Sequence, residues 1–338
     1  MQEQLLKKME RDVSIALVIC TYNNAELLDR ALDAISKQRV STQINWSVLV
    51  VNNNCTDNTP QVVEKYSSSG KLRLTMISEQ QQGLNPARVC GVRNTSGEWI
   101  AFIDDDCLLE DEWTEQAARF AFDHPHCGAF GGQVILDWEI QPPLYALNRK
   151  WAFADTNHGE NIHRRKWLAG AGMVVRRTAL EQSGWLDKQF LGDRTGSILV
   201  SGGDMEMGMR IAAAEEVWYN PLCKLHHVIP ARRLTRRYMR NITFALGASQ
   251  HNVTAITWQG SYPRWLFYSA LYSIWFAAYC VFDAVRESVV SAAGADVPCA
   301  LMPVLGWWSA MWEMLLMNSA ERRQLLGCVA PAATSDAG

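Results

Sequence analysis

The stretch Trp99–Asp106, WIAFIDDD, ends an apolar run abruptly in three adjacent carboxylates. Trp99 to Ile103 predicts a short buried strand, which puts Asp104, Asp105 and Asp106 at its C-terminal end, where open α/β sheets bind ligands. Neighbouring like charges repel one another, and water or a Lys or Arg partner relieves this only in part. A hard divalent cation such as Mg2+ or Mn2+ relieves it better, and such ions commonly share their coordination with substrate phosphates. Asp is also a frequent turn residue, so the triplet alone leaves a solvated turn open.

Upstream, the same pattern recurs. Val13–Cys20 predicts a strand and Thr21-Tyr22-Asn23-Asn24 a polar turn, after which Leu27, Leu28, Ala31, Leu32 and Ile35 fall at helical spacing. Trp46–Val51 repeats the strand, NNNCTDNT the loop and Pro60–Tyr66 the helix; Leu72–Ile77 begins a third unit whose helix spans about 85–95. Strands alternating with helices predict a mainly parallel sheet, with every polar cluster on one of its edges. The Asn, Thr and Asp side chains suit caps and turns taken singly, and a nucleotide pocket taken together. No GxGxxG follows the first strand and no GxxxxGK[ST] occurs, which disfavours a dinucleotide-binding domain and a P-loop NTPase.

At 338 residues and 48 % hydrophobic content, the chain can bury a core as one large domain or a domain with an appendage. Its 32 Lys and Arg against 35 Asp and Glu leave a net charge of −3 and no overall bias toward nucleic acid. The nine cysteines (20, 55, 90, 107, 127, 223, 280, 299, 328) form no CxxC pair, and their odd number and scatter favour a reducing, cytoplasmic compartment. MQEQLLKKMERD is charged and the apolar run after it is short, so the N-terminus reads as a strand and turn rather than a signal peptide.

The segments CTYNN, VVNNNCTDNT, QQGLNPARVCGVRNTSGEWIAFIDDDC and GWLDKQFLGDRTGSILVSGGDMEMGMRI, in this order over about 13–250, resemble the successive motifs of glycosyltransferase family 2. The resemblance implies a GT-A fold: a mainly parallel, Rossmann-like sheet flanked by helices, with a nucleotide-binding half over about 13–136 and an acceptor-binding half over about 137–250, together a domain of 1–250. It implies that Thr21, Tyr22, Asn23 and Asn52 hold the base and ribose of a sugar donor, with Asn52 where the family usually has Asp. Arg88 matches an arginine near the donor, with a surface charge as its plainer reading. The family's DxD falls on Asp104 and Asp106 with Asp105 between, Asp104 facing the ribose, Asp105 counted with it among the donor-binding residues and Asp106 ligating the metal, Mn2+ or Mg2+. Asp204 takes the place of the catalytic base, an N-cap of the helix 205–214 being its structural alternative and Glu206 a second candidate base. His227, or His226 one residue off in register, completes the metal or diphosphate site; Trp185 is a further candidate. Gly172 replaces the usual Asn in LAGAGMVVRR, and Gly203 the usual Glu before Asp204. Residues 137–166 break the α/β rhythm and read as a long acceptor-side loop, and Arg232, Arg233, Arg236, Arg237 and Arg240 as a basic helix face for phosphate or anionic lipid.

Beyond 250, the region 251–338 reads as an apolar, aromatic-rich helical appendage. Trp265–Phe282 carries no charge and eight aromatics, about 27 Å of helix, and Val297–Trp312 follows, broken by Pro303 and Gly306. Trp and Tyr suit a membrane interface better than a bilayer interior; a soluble appendage or homodimer face and a true span are the alternatives. The expectation is an inverting, metal-dependent transfer from a nucleotide-diphosphate sugar, UDP foremost, to a saccharide or lipid-linked saccharide, peripheral at the cytoplasmic face of the inner membrane, in surface polysaccharide or glycolipid synthesis. The rivals are a DxD phosphotransferase, whose motif belongs earlier in a fold, and a non-catalytic nucleotide- or saccharide-binding relative.

Overall fold

The computed structural model describes residues 13–192, 194–195, 199, 202–290 and 296–329. β1 (Ser14–Thr21), β2 (Asn45–Asn52), β3 (Leu74–Ser78) and β4 (Trp99–Asp104) run parallel in the spatial order β3-β2-β1-β4, joined by α1 (Ala25–Ser36), α2 (Thr59–Ser67) and α3 (Leu84–Arg93). The interior of β1 is apolar throughout: Ile15, Leu17 and Ile19 enter one core and Val18 the other, as expected of a strand covered on both faces. Register then does the work of bringing separate loops together. Thr21 pairs with Asn52, and Cys20 with Asp104, so the polar ends of three strands share one edge. On that edge α3 crosses β1 closely because Gly91 has no side chain; a Cβ there would lie 2.4 Å from Val18 Cγ1. This approach brings Arg88, one turn earlier, in toward the edge.

The second half supplies β5 (Cys107–Leu109), α4 (Trp113–Asp123), β6 (Cys127–Gly131), β7 (Val134–Trp138), α5 (Leu144–Leu147), β8 (His163–Arg164), β9 (Met173–Arg176), α6 (Arg177–Gln182), α7 (Gly203–Ala212), β10 (Glu216–Tyr219) and β11 (Leu225–Ile229). The eight-stranded sheet continues β4-β9-β6-β10-β8, with β9 antiparallel to both neighbours. A three-stranded sheet, β5-β11-β7, sets His227 opposite Cys107, the residue after Asp106. The expected mainly parallel α/β sheet with flanking helices is therefore present, and the sequence between 137 and 166 is less of a loop than expected, holding α5, β8 and a 3-10 turn at Lys150–Phe153.

Three long helices follow: α8 (Arg236–Ile256), α9 (Tyr262–Val290) and α10 (Val297–Leu316), with α11 (Ser319–Leu325) after them. α8 lies across the domain. Met239 and Ile242 pack on Phe153, Ile229 and Leu234, while Val253 and Ile256, a few turns on, pack on Leu191, Phe190 and Met209. α10 seats against α8 at backbone distance, since a Cβ on Gly247 would come within 1.9 Å of the Pro303 carbonyl and one on Gly306 within 1.9 Å of the Phe244 carbonyl. α9 is held at both ends: Trp265 Nε1 donates to Met314 Sδ at 3.0 Å, and Glu287 accepts from Arg149 Nη1 at 2.7 Å and from Asn148 Nδ2 at 2.9 Å.

Candidate active site at the strand ends

The loop after β1 is fixed by Asp105. Its two oxygens accept from Thr21 Oγ1 and Asn24 Nδ2, both at 2.7 Å. Burial, and next the charge of Asp106, push the Asp105 carboxyl up to about 7, against the two hydrogen bonds. Asp105 thus serves the loop rather than facing outward as a donor contact, which corrects its expected role. The loop after β2 is clamped from both sides: Asn52 Oδ1 accepts from Cys55 N at 2.8 Å, Asn23 Oδ1 from Thr56 N at 2.7 Å, and Asp57 Oδ2 from Ala25 N at the start of α1 at 2.9 Å. Asn23 sits at φ 49, a left-handed conformation that Asn tolerates better than most residues. Asn53, which drew no notice in the sequence, ties this loop to the next by donating to the Glu79 and Gln81 carbonyls and accepting from Gly83 N at 2.8 Å. Tyr22 is left exposed at the rim.

Asp106 faces the interior of the site. His227 Nε2 stands 3.4 Å from Asp106 Oδ2 and Arg233 Nη1 2.7 Å from it, and Arg233 Nη1 also reaches His227 Nε2 at 3.2 Å. His227 Nδ1 lies 2.8 Å from the Phe153 carbonyl, a pure acceptor, so the proton sits on Nδ1. Nε2 therefore turns its lone pair toward Asp106 and the guanidinium. Burial works to raise the Asp106 carboxyl, but the Arg233 guanidinium beside it opposes this, and the group is held far below the usual carboxylate range. The neighbouring Asp104 is pushed up by burial and by Asp106, against Arg88 and Arg194. His226, on the other face of β11, points to Glu110 at 3.6 Å; alternation along the strand puts His227, and not His226, beside Asp106.

Ligating atoms of Asp104, Asp106 and Cys107 lie within 4.8 Å of one another. Burial pushes the Cys107 thiol well up, so it stays protonated and donates to Asp106 Oδ1 at 3.7 Å. That leaves two carboxylates, which suit a hard divalent cation such as Mn2+ or Mg2+, with the His227 Nε2 lone pair beside Asp106.

Asp204 approaches from the other half. It lies in the first turn of α7 and is not the N-cap, which is Gly202; its Oδ2 accepts from Gly170 N at 2.8 Å and its Oδ1 from Met205 N at 2.9 Å. Gly170 has no room for a side chain because Arg88 and Asp204 flank it, with a Cβ placed 2.7 Å from Arg88 Nη2 and 2.9 Å from Asp204 Oδ2. Arg88 is buried, not a surface charge. Gly172 has φ +73 and a Cβ there would meet Leu225 Cδ2 at 2.5 Å, so in this chain a leucine fills the space beside the position where the resemblance expects an amide.

Two expected site residues are structural. Glu206 is fully buried, accepting from Phe190 N and Leu191 N at 3.0 and 2.7 Å and paired with Arg210, so its carboxylate faces the protein interior. Trp185 is buried in the second core beside Leu180 and Met207. The basic run also resolves differently from a single helix face. Arg232 and Arg233 precede α8 in a 3-10 turn, Ala231–Leu234, and reach Asn24 Oδ1 (3.0 Å) and Asp106, while Arg236 and Arg240 pair with the buried Asp296. Parts of the GWLDKQFLGDRTGSILVSGG segment, 193, 196–198 and 200–201, fall outside the described residues.

The comparisons with known proteins agree with this arrangement. Residues 16–182 match the model described as glycosyl transferase family 2. The chain is 26 % identical over 200 residues to glycosyltransferase AglE of Haloferax volcanii, covering 59 % of this chain and 62 % of that one, so it spans less than two thirds of that relative. It is 21 % identical over 220 residues to a glucosyl-dolichyl phosphate glucuronosyltransferase of the same organism, covering 64 % and 69 %. In fold it is similar to the mannosyltransferase PcManGT of Pyrobaculum calidifontis, solved with GDP-Man and Mn2+, at a TM-score of 0.54 and 20 % identity over 92 % of this chain and 86 % of that one. With a GT-A sheet, three polar loops gathered at its strand ends and a family match over those loops, residues 16–182 form a glycosyl transferase family 2 domain.

Proposed function

We propose that the protein is an inverting, metal-dependent glycosyltransferase that moves a sugar from a nucleotide-diphosphate donor to an acceptor hydroxyl. The observation that carries this reading is the pairing of Asp104 and Asp106 at the strand ends, with His227 Nε2 3.4 Å from Asp106 Oδ2, beside the loops of Thr21, Tyr22, Asn23 and Asn52. These loops hold the base and ribose. Arg88, buried next to Asp104, steadies the charge of the donor side. Asp104, Asp106 and His227 would hold Mn2+ or Mg2+, which when bound neutralises the charge gathering on the nucleoside diphosphate as it leaves. Asp204, oriented by two backbone N–H groups and adjoining Arg88 across Gly170, accepts the proton of the attacking hydroxyl. A single displacement with this base on the face opposite the leaving group inverts the anomeric centre.

The structural neighbour solved with GDP-Man and Mn2+ supports the donor class and the cation; UDP, first in the sequence-based expectation, and GDP are the donors to try. Melting curves with UDP, GDP, dTDP and CMP, each with and without Mn2+, test the reading, because a ligand of the folded state raises the melting temperature by mass action. A manganese-dependent rise with one diphosphate is expected. No rise with any of them contradicts it.

The C-terminal helices supply the second part of the proposal, a protein peripheral at the cytoplasmic face of a membrane and an acceptor carried in that membrane. α9 is inverted for a soluble helix: Ser269 is 0 % and Glu287 3 % exposed, whereas Phe267, Ile274 and Phe282 are 67–69 % exposed. Trp275, Tyr279, Trp308 and Trp312 are exposed with them, a composition suited to the headgroup boundary. α9 and α10 are each long and apolar enough to cross a membrane; their exposed Trp and Tyr side chains favour a place at its surface. All nine cysteines are free, in keeping with the cytoplasm. Arg236 and Arg240, which anchor the N-terminus of α10 through Asp296, are three and seven residues from Arg233, so that helix end is tied to the segment that reaches the site. The relative named for glucosyl-dolichyl phosphate supports a lipid-linked acceptor in polysaccharide or glycoconjugate synthesis. Flotation with vesicles containing anionic phospholipid is expected to carry the protein upward. A protein that stays at the bottom and runs as a dimer in gel filtration contradicts the membrane reading and assigns the face to a second copy.

A further inference from the structure

We propose that Arg233 is the resident counter-ion of the cation site: its guanidinium holds Asp106 and His227 together in the free protein and transfers to the donor diphosphate when a divalent cation takes its place. The inference rests on the cation reading above and goes beyond it, because it makes metal and nucleotide binding depend on one another through a single side chain.

Three observations lead there. First, Arg233 Nη1 contacts both Asp106 Oδ2 (2.7 Å) and His227 Nε2 (3.2 Å), which are the groups expected to ligate the ion. Two lone-pair donors 3.4 Å apart need a positive partner between them, and a guanidinium fills that need with directed N–H bonds. Second, the side chain is 15 % exposed, so it cannot simply be solvated when an ion displaces it; it requires another anion close by. Third, Arg233 sits on the short turn Ala231–Leu234, whose other arginine, Arg232, donates to Asn24 Oδ1, and Asn24 in turn donates to Asp105. The turn therefore reaches across the nucleotide loop, and a diphosphate bound between that loop and Asp106 lies within reach of the displaced guanidinium.

The consequence follows from linkage. An ion arriving alone must break the Arg233–Asp106 pair and leave a buried positive charge unmatched. An ion arriving with a nucleoside diphosphate gives that charge new oxygens. Each ligand then raises the affinity of the other by the same factor, of the order of tenfold or more.

The test is Mn2+ binding followed by electron paramagnetic resonance, in the wild type and Arg233→Gln, alone and with UDP or GDP. In the wild type Mn2+ is expected to bind weakly alone and about tenfold more tightly with the nucleotide. In Arg233→Gln, Mn2+ alone should bind about tenfold more tightly than in the wild type and the nucleotide effect should shrink correspondingly. Equal or weaker Mn2+ binding in Arg233→Gln, with the wild type still binding Mn2+ and nucleotide together, overturns this inference and leaves the cation reading standing. Mn2+ binding indifferent to Asp106→Asn overturns the cation reading and the inference with it. If Arg233→Gln does not fold, Arg233→Lys keeps the charge but loses the planar fork; it should shift Mn2+ affinity in the same direction, and an unchanged affinity counts against the proposal.

Discussion

Replacing Asp204 with asparagine is expected to abolish sugar transfer while leaving donor binding as it is. A positioned base contributes about 10²–10⁴-fold to rate, whereas the structural loss is small. An asparagine carbonyl can still accept from Gly170 N, and the missing charge in the first turn of α7 costs about 0.3–1 kcal/mol. Donor affinity, measured by titration calorimetry with the matched nucleoside diphosphate and Mn2+, should stay within about threefold of the wild type, since that factor corresponds to less than 1 kcal/mol. Product formation at more than a tenth of the wild-type rate would falsify the assignment of Asp204 as base. Glu206→Gln separates the two acidic candidates: because Glu206 holds Phe190 N and Leu191 N, its loss should lower the melting temperature rather than act on chemistry alone.

Arg149→Met is expected to loosen the C-terminal helices from the domain. Arg149 is 2 % exposed and meets Glu287, 3 % exposed, at 2.7 Å and Asp283 at 3.5 Å. Removing one partner of a buried pair strands the other, which costs about 3–5 kcal/mol, whereas replacing both with apolar groups of similar size is close to neutral. Arg149→Met should therefore be strongly destabilising in urea unfolding, and Arg149→Met with Glu287→Leu should recover most of the loss. A single variant as stable as the wild type contradicts the role of this pair as the anchor of α9.

Much of this was legible before any coordinates, for a physical reason. Continuous apolar runs that stop in Asn, Thr or Asp mark the ends of strands covered on both faces, so Thr21, Asn52 and Asp104 could be placed on one edge from pattern alone, and pairing of Thr21 with Asn52 and Cys20 with Asp104 realises it. What could not be read were contacts decided by distant segments. Asp105 turns back to Thr21 and Asn24; its neighbours Asp104 and Asp106 are chemically identical in the sequence and separated only by how β4 ends. Arg233 looked like its neighbours in an arginine-rich run, and only the 3-10 turn before α8 separates it from Arg236. A signal was present in its position just after HHVIP, close in sequence to the proposed ligand His227. Trp185 and Glu206 stood in the right motifs, yet their burial depends on core packing and on the Phe190–Leu191 backbone, which motif spacing does not report.

The central claim is that one cation, held by Asp106 and His227, bridges this chain to a nucleoside diphosphate. It is tested most directly by an anomalous difference map from crystals grown with Mn2+ and the diphosphate selected by the melting curves. A single manganese peak bonded to an Asp106 oxygen and His227 Nε2 is expected, with nucleotide density over the loops of Thr21 and Asn52 and Asp204 open to solvent beside it. Nucleotide in place with no manganese at Asp106, or manganese bound only elsewhere, would contradict it.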